Sequence, residues 1–68
     1  MKTLPYHFYT MPNVANTTMD KRDLREVLLS TGGFILACGH LYDIKSRHLG
    51  VGIYKVWLKL TSEDKIMR

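Results

Sequence analysis

Cys38 and His40 are the residues whose types and spacing come closest to a catalytic pattern. On a β-strand, residues two positions apart share a face, so this thiol and imidazole match a nucleophile with its base, or two metal ligands. A reactive thiol needs an exposed, electropositive setting, whereas Cys38 would share its face with apolar residues. Zinc takes about four ligands, and the other histidines, His7 and His48, lie far along the chain. We therefore expect a buried thiol, a hydrogen-bonded core histidine, no catalytic residue and no metal site.

Other catalytic patterns are also incomplete. Gly50 and Gly52 form part of a G-x-G pattern, but a strand rather than a helix follows them, so no helix N-terminus would meet a phosphate. Asp43 stands without a second carboxylate for acid–base catalysis. The sequence predicts no enzymatic activity and no cofactor.

Trp57 with Lys55 and Lys59 is the strongest candidate for a binding site. The period of two places the indole and both ammonium groups on one face of a strand. This arrangement suits stacking on a base between phosphate contacts, and it equally suits an anchor in a protein interface. A structural role competes with both: Trp57 would cover Gly39 on a paired strand, and the lysines would only aid solubility.

A second basic group, on the predicted helix, consists of Lys21, Arg22 and Arg25. With Arg47 and His48 at the tip of a predicted hairpin, these residues would form a patch for phosphates or for an acidic partner. The alternative is a solvated helix face on which acidic neighbours offset the positive charge.

A β-hairpin over residues 34–60 must position most of these side chains. Its arms are residues 34–45 and 51–60, joined by residues 46–50 and paired symmetrically about His48. In this register the even-numbered residues form an apolar face and the odd-numbered residues a polar face. A slip by one residue would move lysines to the apolar side, so the pattern specifies the register.

A helix and a third strand complete the predicted fold. Apolar periodicity predicts a helix over residues 19–30, capped by Thr17 or Thr18 and ended by two glycines. Residues 3–9 are aromatic and predict an edge strand, and residues 61–68 either add a helical turn or fray. We expect one α+β domain over residues 1–68, of β-α-β-β order, with a three-stranded antiparallel sheet and one helix packed on one face.

Length and composition limit the function classes. A chain of 68 residues forms one domain and buries only about 60% of its unfolded surface. The N-terminal edge strand could add burial by pairing with a second copy in a homodimer, or it could extend a partner's sheet. The alternative is that Pro5 and Pro12 keep this edge unpaired. One cysteine excludes an internal disulfide and indicates either a reducing compartment or indifference to redox conditions. With no secretory signal and no apolar run of about 20 residues, the sequence predicts a cytoplasmic protein without membrane contact.

The formal net charge of +4 favours an acidic or nucleic-acid partner. The first hypothesis is a non-enzymatic binding protein that occupies a surface of a larger protein or nucleoprotein complex, as small phage or mobile-element inhibitors and regulatory adaptors do. The alternative is a nucleic-acid-binding module that uses the basic outer sheet face and the helix. A structural subunit of a larger assembly overlaps the first hypothesis.

Overall fold

Four antiparallel strands form a sheet that curls into a half-barrel, in a computed structural model that describes residues 3–61. The strand order across the sheet is β1-β4-β3-β2. In chain order the elements are α1 (His7–Thr10), β1 (Asn16–Asp20), α2 (Lys21–Thr31), β2 (Phe34–Ala37), β3 (His40–Gly50) and β4 (Ile53–Leu60). The α+β class is confirmed, but the sheet has four strands instead of three.

The first predicted hairpin arm is two strands, because the chain reverses at Cys38 and Gly39. Both residues have positive φ angles, 52° and 78°. Two central residues of this kind are typical of a type I′ turn, whose twist matches that of the flanking strands. Ala37 consequently pairs with His40, and β2 folds back along the start of β3.

The turn of the second hairpin lies at Val51 and Gly52, where φ is again positive, 26° and 74°. Residues 46–50, predicted to form the loop, belong to β3. His48, the predicted centre of the hairpin, instead pairs with Tyr54. The predicted register is therefore wrong by several residues, although even-numbered residues still pair with even-numbered ones along most of the ladder.

Because even-numbered residues of β3 still pair with even-numbered residues of β4, both strands keep their predicted inner and outer faces. Tyr42 and Val56 are buried on the inner face, as predicted. In β2, odd-numbered residues pair with even-numbered residues of β3, because a two-residue turn joins Ala37 to His40. The odd-numbered residues of β2 therefore face inwards, contrary to the prediction. Ile35 and Ala37 are buried, and the residues predicted to be inside are exposed, namely Phe34, Leu36 and Cys38.

Helix α2 begins later than predicted, because Asp20 is its N-cap. The Asp20 side chain accepts a hydrogen bond from the backbone N–H of Asp23 at 2.8 Å, which satisfies a donor that the first turn leaves unpaired. Thr17 and Thr18, the predicted caps, lie in β1 instead. The helix ends at Gly32, whose positive φ of 72° suits a C-terminal cap without a Cβ atom.

The N-terminal segment is not a strand. Residues 7–10 form α1, and Phe8 in that turn is fully buried in the core. The His7 imidazole donates from Nε2 to the Asn16 carbonyl oxygen at 3.2 Å, which ties α1 to the outer edge of β1. The predicted homodimer through an edge strand at residues 3–9 therefore loses its structural basis.

The core lies between α2, α1 and the inner face of the sheet. Its fully buried side chains are those of Phe8, Val27 and Val56. None of the helices in residues 3–61 is long and apolar enough to cross a membrane. For residues 61–68 the sequence predicts either a helical turn or a frayed tail. Apart from Thr61, this segment lies outside the described residues.

Candidate binding surface on the outer face of the sheet

Cys38 and His40 do not form the buried pair that the sequence predicts. Both side chains are exposed, because the turn at Cys38 removes this part of the chain from the core. The Cys38 thiol lies 3.6 Å from the Tyr9 carbonyl oxygen and 3.8 Å from that of Thr10, to which it donates weak hydrogen bonds. Within residues 3–61, no cluster of three or more His, Cys, Asp or Glu side chains is placed to hold a metal ion.

Trp57 lies at the centre of the outer sheet face. It pairs with Lys45 of β3 on one side and with Asn16 of β1 on the other, so these three side chains form one row across three strands. The indole is half-buried. Directly paired residues bring their side chains to one face at contact distance, so the lysine and the amide flank the aromatic ring.

Four cationic residues surround this indole. Lys55 and Lys59 lie two positions before and after Trp57 on β4, and Arg47 pairs with Lys55 across the ladder. With Lys45 in the central row, the cations come from two adjacent strands, and all four are exposed. We call this surface the Trp57 face and define it by Trp57, Lys45, Arg47, Lys55 and Lys59.

The pairing excludes the structural role considered for Trp57. Gly39 lies in the β2–β3 turn, whereas the residues opposite Trp57 are Lys45 and Asn16. No glycine is therefore shielded by the indole. Tryptophan is enriched among the anchor residues of protein interfaces, so this half-buried indole is a candidate for binding.

A concavity of about 400 Å³ adjoins the Trp57 face at the β1 edge of the sheet. The segment between α1 and β1 forms one wall, and the strands form the floor. The lining combines amides, cations, apolar side chains and the indole: Asn13, Val14, Ala15, Asn16, Arg47, Lys55, Trp57 and Leu58. Such a site has both an aromatic surface and polar groups for a flat or anionic group of a partner.

The carboxylate of Asp43 lies on this outer face, at the end distant from β1. Asp43 pairs with Lys59, and its Oδ1 accepts a hydrogen bond from the buried Thr61 hydroxyl at 3.0 Å. The outer face is therefore not uniformly positive: it is cationic around Trp57 and contains an acidic group beside Lys59.

The basic residues of α2 are separated from the Trp57 face. The helix packs through Leu24 and Val27 on the inner side of the sheet, so Lys21, Arg22 and Arg25 lie on the opposite side from Trp57. All three are exposed. The sequence-predicted binding set thus divides between two surfaces instead of forming one.

His48 also belongs to the inner side. Its ring lies 4.8 Å from the ring of Tyr54, its partner across the ladder, with an angle of 33° between the planes. Arg47, the preceding residue, lies on the outer face. Arg47 and His48, the two candidates of the predicted hairpin tip, therefore lie on opposite faces of β3.

Lys45 is the member of the Trp57 face that sequence reasoning missed. Its odd number already placed it on the outer face, but the predicted register put it beside the hairpin loop. The true register brings it opposite Trp57. The signal was the pair of glycines at positions 50 and 52, which marks the turn that sets this register.

Comparisons of the chain with protein-family models, curated proteins and solved structures give no significant match.

Proposed function

We propose that this protein is a non-enzymatic binding protein that occupies an acidic surface of a larger protein or nucleoprotein complex through the Trp57 face. The observation that supports it most directly is the position of one tryptophan among four exposed cations on two paired strands. Buried aromatic anchors with a charged rim are typical of protein interfaces, in which the anchor supplies most of the affinity. The rim charges raise the association rate and select the partner.

A protein surface is a better partner for this face than a nucleic-acid backbone because of Asp43. Its carboxylate lies beside Lys59 on the same face, where a continuous phosphate chain would be repelled. A protein partner presents acidic groups at separate positions and can place a donor opposite Asp43. Mixed charges of this kind favour complementary protein surfaces.

Affinity capture from a cell lysate, with and without nuclease, tests this proposal. We expect the protein to retain a defined protein complex after nuclease treatment, and the Trp57→Ala variant to lose it. Tyr6→Ala is the matched control, because Tyr6 is an aromatic side chain that is 81% exposed beside α1 and lies outside the Trp57 face and its concavity. Equal retention by the wild type and by Trp57→Ala would contradict the proposal.

The concavity beside Trp57 favours a second candidate, direct binding of single-stranded nucleic acid. An indole with neighbouring amides and cations suits a stacked base and its phosphate, and the concavity contains these groups. Fluorescence anisotropy of a labelled oligothymidylate at several salt concentrations tests this candidate. Four cations give a slope of log K against log salt of at most about −3, since each phosphate contributes about −0.7 in single strands. Binding that does not depend on salt would exclude it.

A further inference from the structure

Strand β3 has an unpaired edge in the part of the chain that the structure describes. Ile44 donates its backbone N–H to the Gly33 carbonyl oxygen on the β2 side, whereas the Leu41 carbonyl oxygen accepts from Thr61 on the β4 side. Backbone groups alternate in direction along an antiparallel strand. The N–H and C=O groups of Ser46 and His48 therefore point away from β4, beyond the end of β2.

An apolar groove lies on the inner side near this edge. It has a volume of about 530 Å³ and is lined by Leu24, Leu28, Leu29, Tyr54, Lys21 and Arg25. Tyr54 connects it to β3, because its ring packs against that of His48. Leu28 and Leu29 are 36% and 77% exposed, so apolar surface remains uncovered between α2 and the strand edge.

The charges on both sides of the edge have the same sign. Lys45 and Arg47 project to the outer side of β3, and Lys21 and Arg25 lie at the groove on the inner side. Lysines on an edge strand protect a protein against unwanted strand pairing. The same lysines would attract a strand that has acidic side chains, so they select a partner rather than exclude every one.

We propose that the β3 edge at Ser46 and His48 binds an extended segment of a partner protein with alternating acidic and apolar residues. The segment adds a fifth strand to the sheet through the four unpaired backbone groups. Its acidic side chains face Lys45 and Arg47, and its apolar side chains face the groove beside Tyr54. This surface shares Lys45 and Arg47 with the Trp57 face, but its backbone groups and its apolar groove are separate from the indole, so the proposal goes beyond binding through the Trp57 face.

A second copy of the chain is a poor occupant of this edge in two registers. In an antiparallel pairing of two β3 edges, placing Ser46 opposite His48 puts Arg47 opposite its own copy. Placing Ser46 opposite itself puts Lys45 opposite Arg47. Like charges directly opposite each other destabilise a strand pair, so these two registers oppose self-association. A third register, with His48 opposite itself, pairs Arg47 with Leu49 and is the one that a dimer would use.

Backbone NMR with a synthetic peptide tests the proposal. The probe is the capped hexapeptide Glu-Val-Glu-Val-Glu-Val, and the matched control is Val-Val-Val-Glu-Glu-Glu, which has the same composition without alternation. We expect the alternating peptide to shift the Ser46 and His48 amide signals and to slow their hydrogen exchange. The amides of Lys45 and Arg47, which point towards β4, should exchange slowly with or without the peptide.

Two variants at one position separate edge pairing from other contacts. Ser46→Pro removes the edge donor without removing a bond to β4, and proline is tolerated where an edge N–H faces solvent. It should weaken peptide binding about tenfold, as expected for a lost hydrogen bond. Ser46→Ala keeps the backbone N–H and should bind like the wild type. The melting temperature of each variant shows whether it is folded.

Several results would overturn the proposal. Equal binding of the alternating and block peptides is one such result. Equal binding of the alternating peptide by Ser46→Pro and Ser46→Ala, when both variants are folded, is another. Slow exchange at Ser46 and His48 in a free dimer would assign the edge to a second copy. If the Ser46 and His48 amides of the free protein exchange slowly, and this protection disappears when the chain is ended after Thr61, residues 62–68 occupy the edge. Trp57→Ala should bind the peptide normally, so failure of this proposal and failure of the Trp57 face are distinguishable.

Discussion

Trp57 and Lys45 pair directly across the β3–β4 ladder. Because this is the single tryptophan of the chain, the fluorescence of the protein reports on one place, the centre of the Trp57 face. A ligand that stacks on the indole or removes it from water changes that signal. Binding through this face is therefore measurable without a label on the protein.

Reversing the charge of Lys45 should weaken binding of an acidic partner through the Trp57 face. Lys45→Glu puts a carboxylate opposite the indole, so an attraction to the partner becomes a repulsion. We expect the affinity to fall about tenfold, with most of the loss in the association rate if the residue lies at the rim. Titration of tryptophan fluorescence with the captured partner measures the change.

Arg22→Glu is the control for this reversal. It makes the same change in net charge on α2, on the other side of the sheet from Trp57. The control should reduce the affinity by less than Lys45→Glu, because only the overall field changes. If the two variants weaken binding equally, the effect is due to net charge and not to the Trp57 face.

The Cys38 thiol should react in the folded protein. It is exposed in the β2–β3 turn and makes only weak hydrogen bonds of 3.6 and 3.8 Å to backbone carbonyl groups. We expect a colorimetric disulfide reagent to modify one thiol per chain at a rate close to that in denaturant. Protection of the thiol until the protein unfolds would instead support the hairpin register in which Cys38 is buried.

The sequence was sufficient to predict the outer face of β4, because Lys55, Trp57 and Lys59 alternate with apolar residues over the whole strand. It was insufficient for the turn at Cys38. A type I′ turn is usually signalled by Asn-Gly or Asp-Gly, whereas here a cysteine precedes the glycine within a continuous apolar run. The register of β3, and with it the position of Lys45, depends on both turns.

Strand β1 was missed for a different reason. Only Met19 of its five residues is buried, and the others are Asn, Thr, Thr and Asp. Such a segment lacks the alternation of a half-buried strand, and its strand geometry depends on pairing with β4, which is distant in sequence. Asn16, the residue beside Trp57, was therefore invisible as part of the site.

Acidic substitutions at His40 and Ala37 should differ strongly in their effect on the free energy of unfolding, although these two residues pair across the β2–β3 ladder. His40 is exposed, so His40→Asp should change the free energy of unfolding by no more than about 0.5 kcal/mol. Ala37 is 4% exposed, and Ala37→Asp would bury a carboxylate without a partner. We expect a loss of several kcal/mol, enough to unfold a small domain. Urea denaturation measures both, and a large loss for His40→Asp would contradict the β2–β3 register.

Val51→Asn should stabilise the protein, because a β-branched residue occupies a turn position with positive φ. Val51 has a φ of 26° and is fully exposed, so no apolar burial is lost on substitution. Asparagine tolerates this region, in which most residues lose about 1–2 kcal/mol, and Asn-Gly is the preferred type I′ pair. A gain of about 1 kcal/mol would raise the melting temperature by about 4–8 °C in a domain of this size. Val14→Asn is the control, since Val14 is exposed without a positive φ; an equal gain there would show that polarity, and not turn geometry, is the cause.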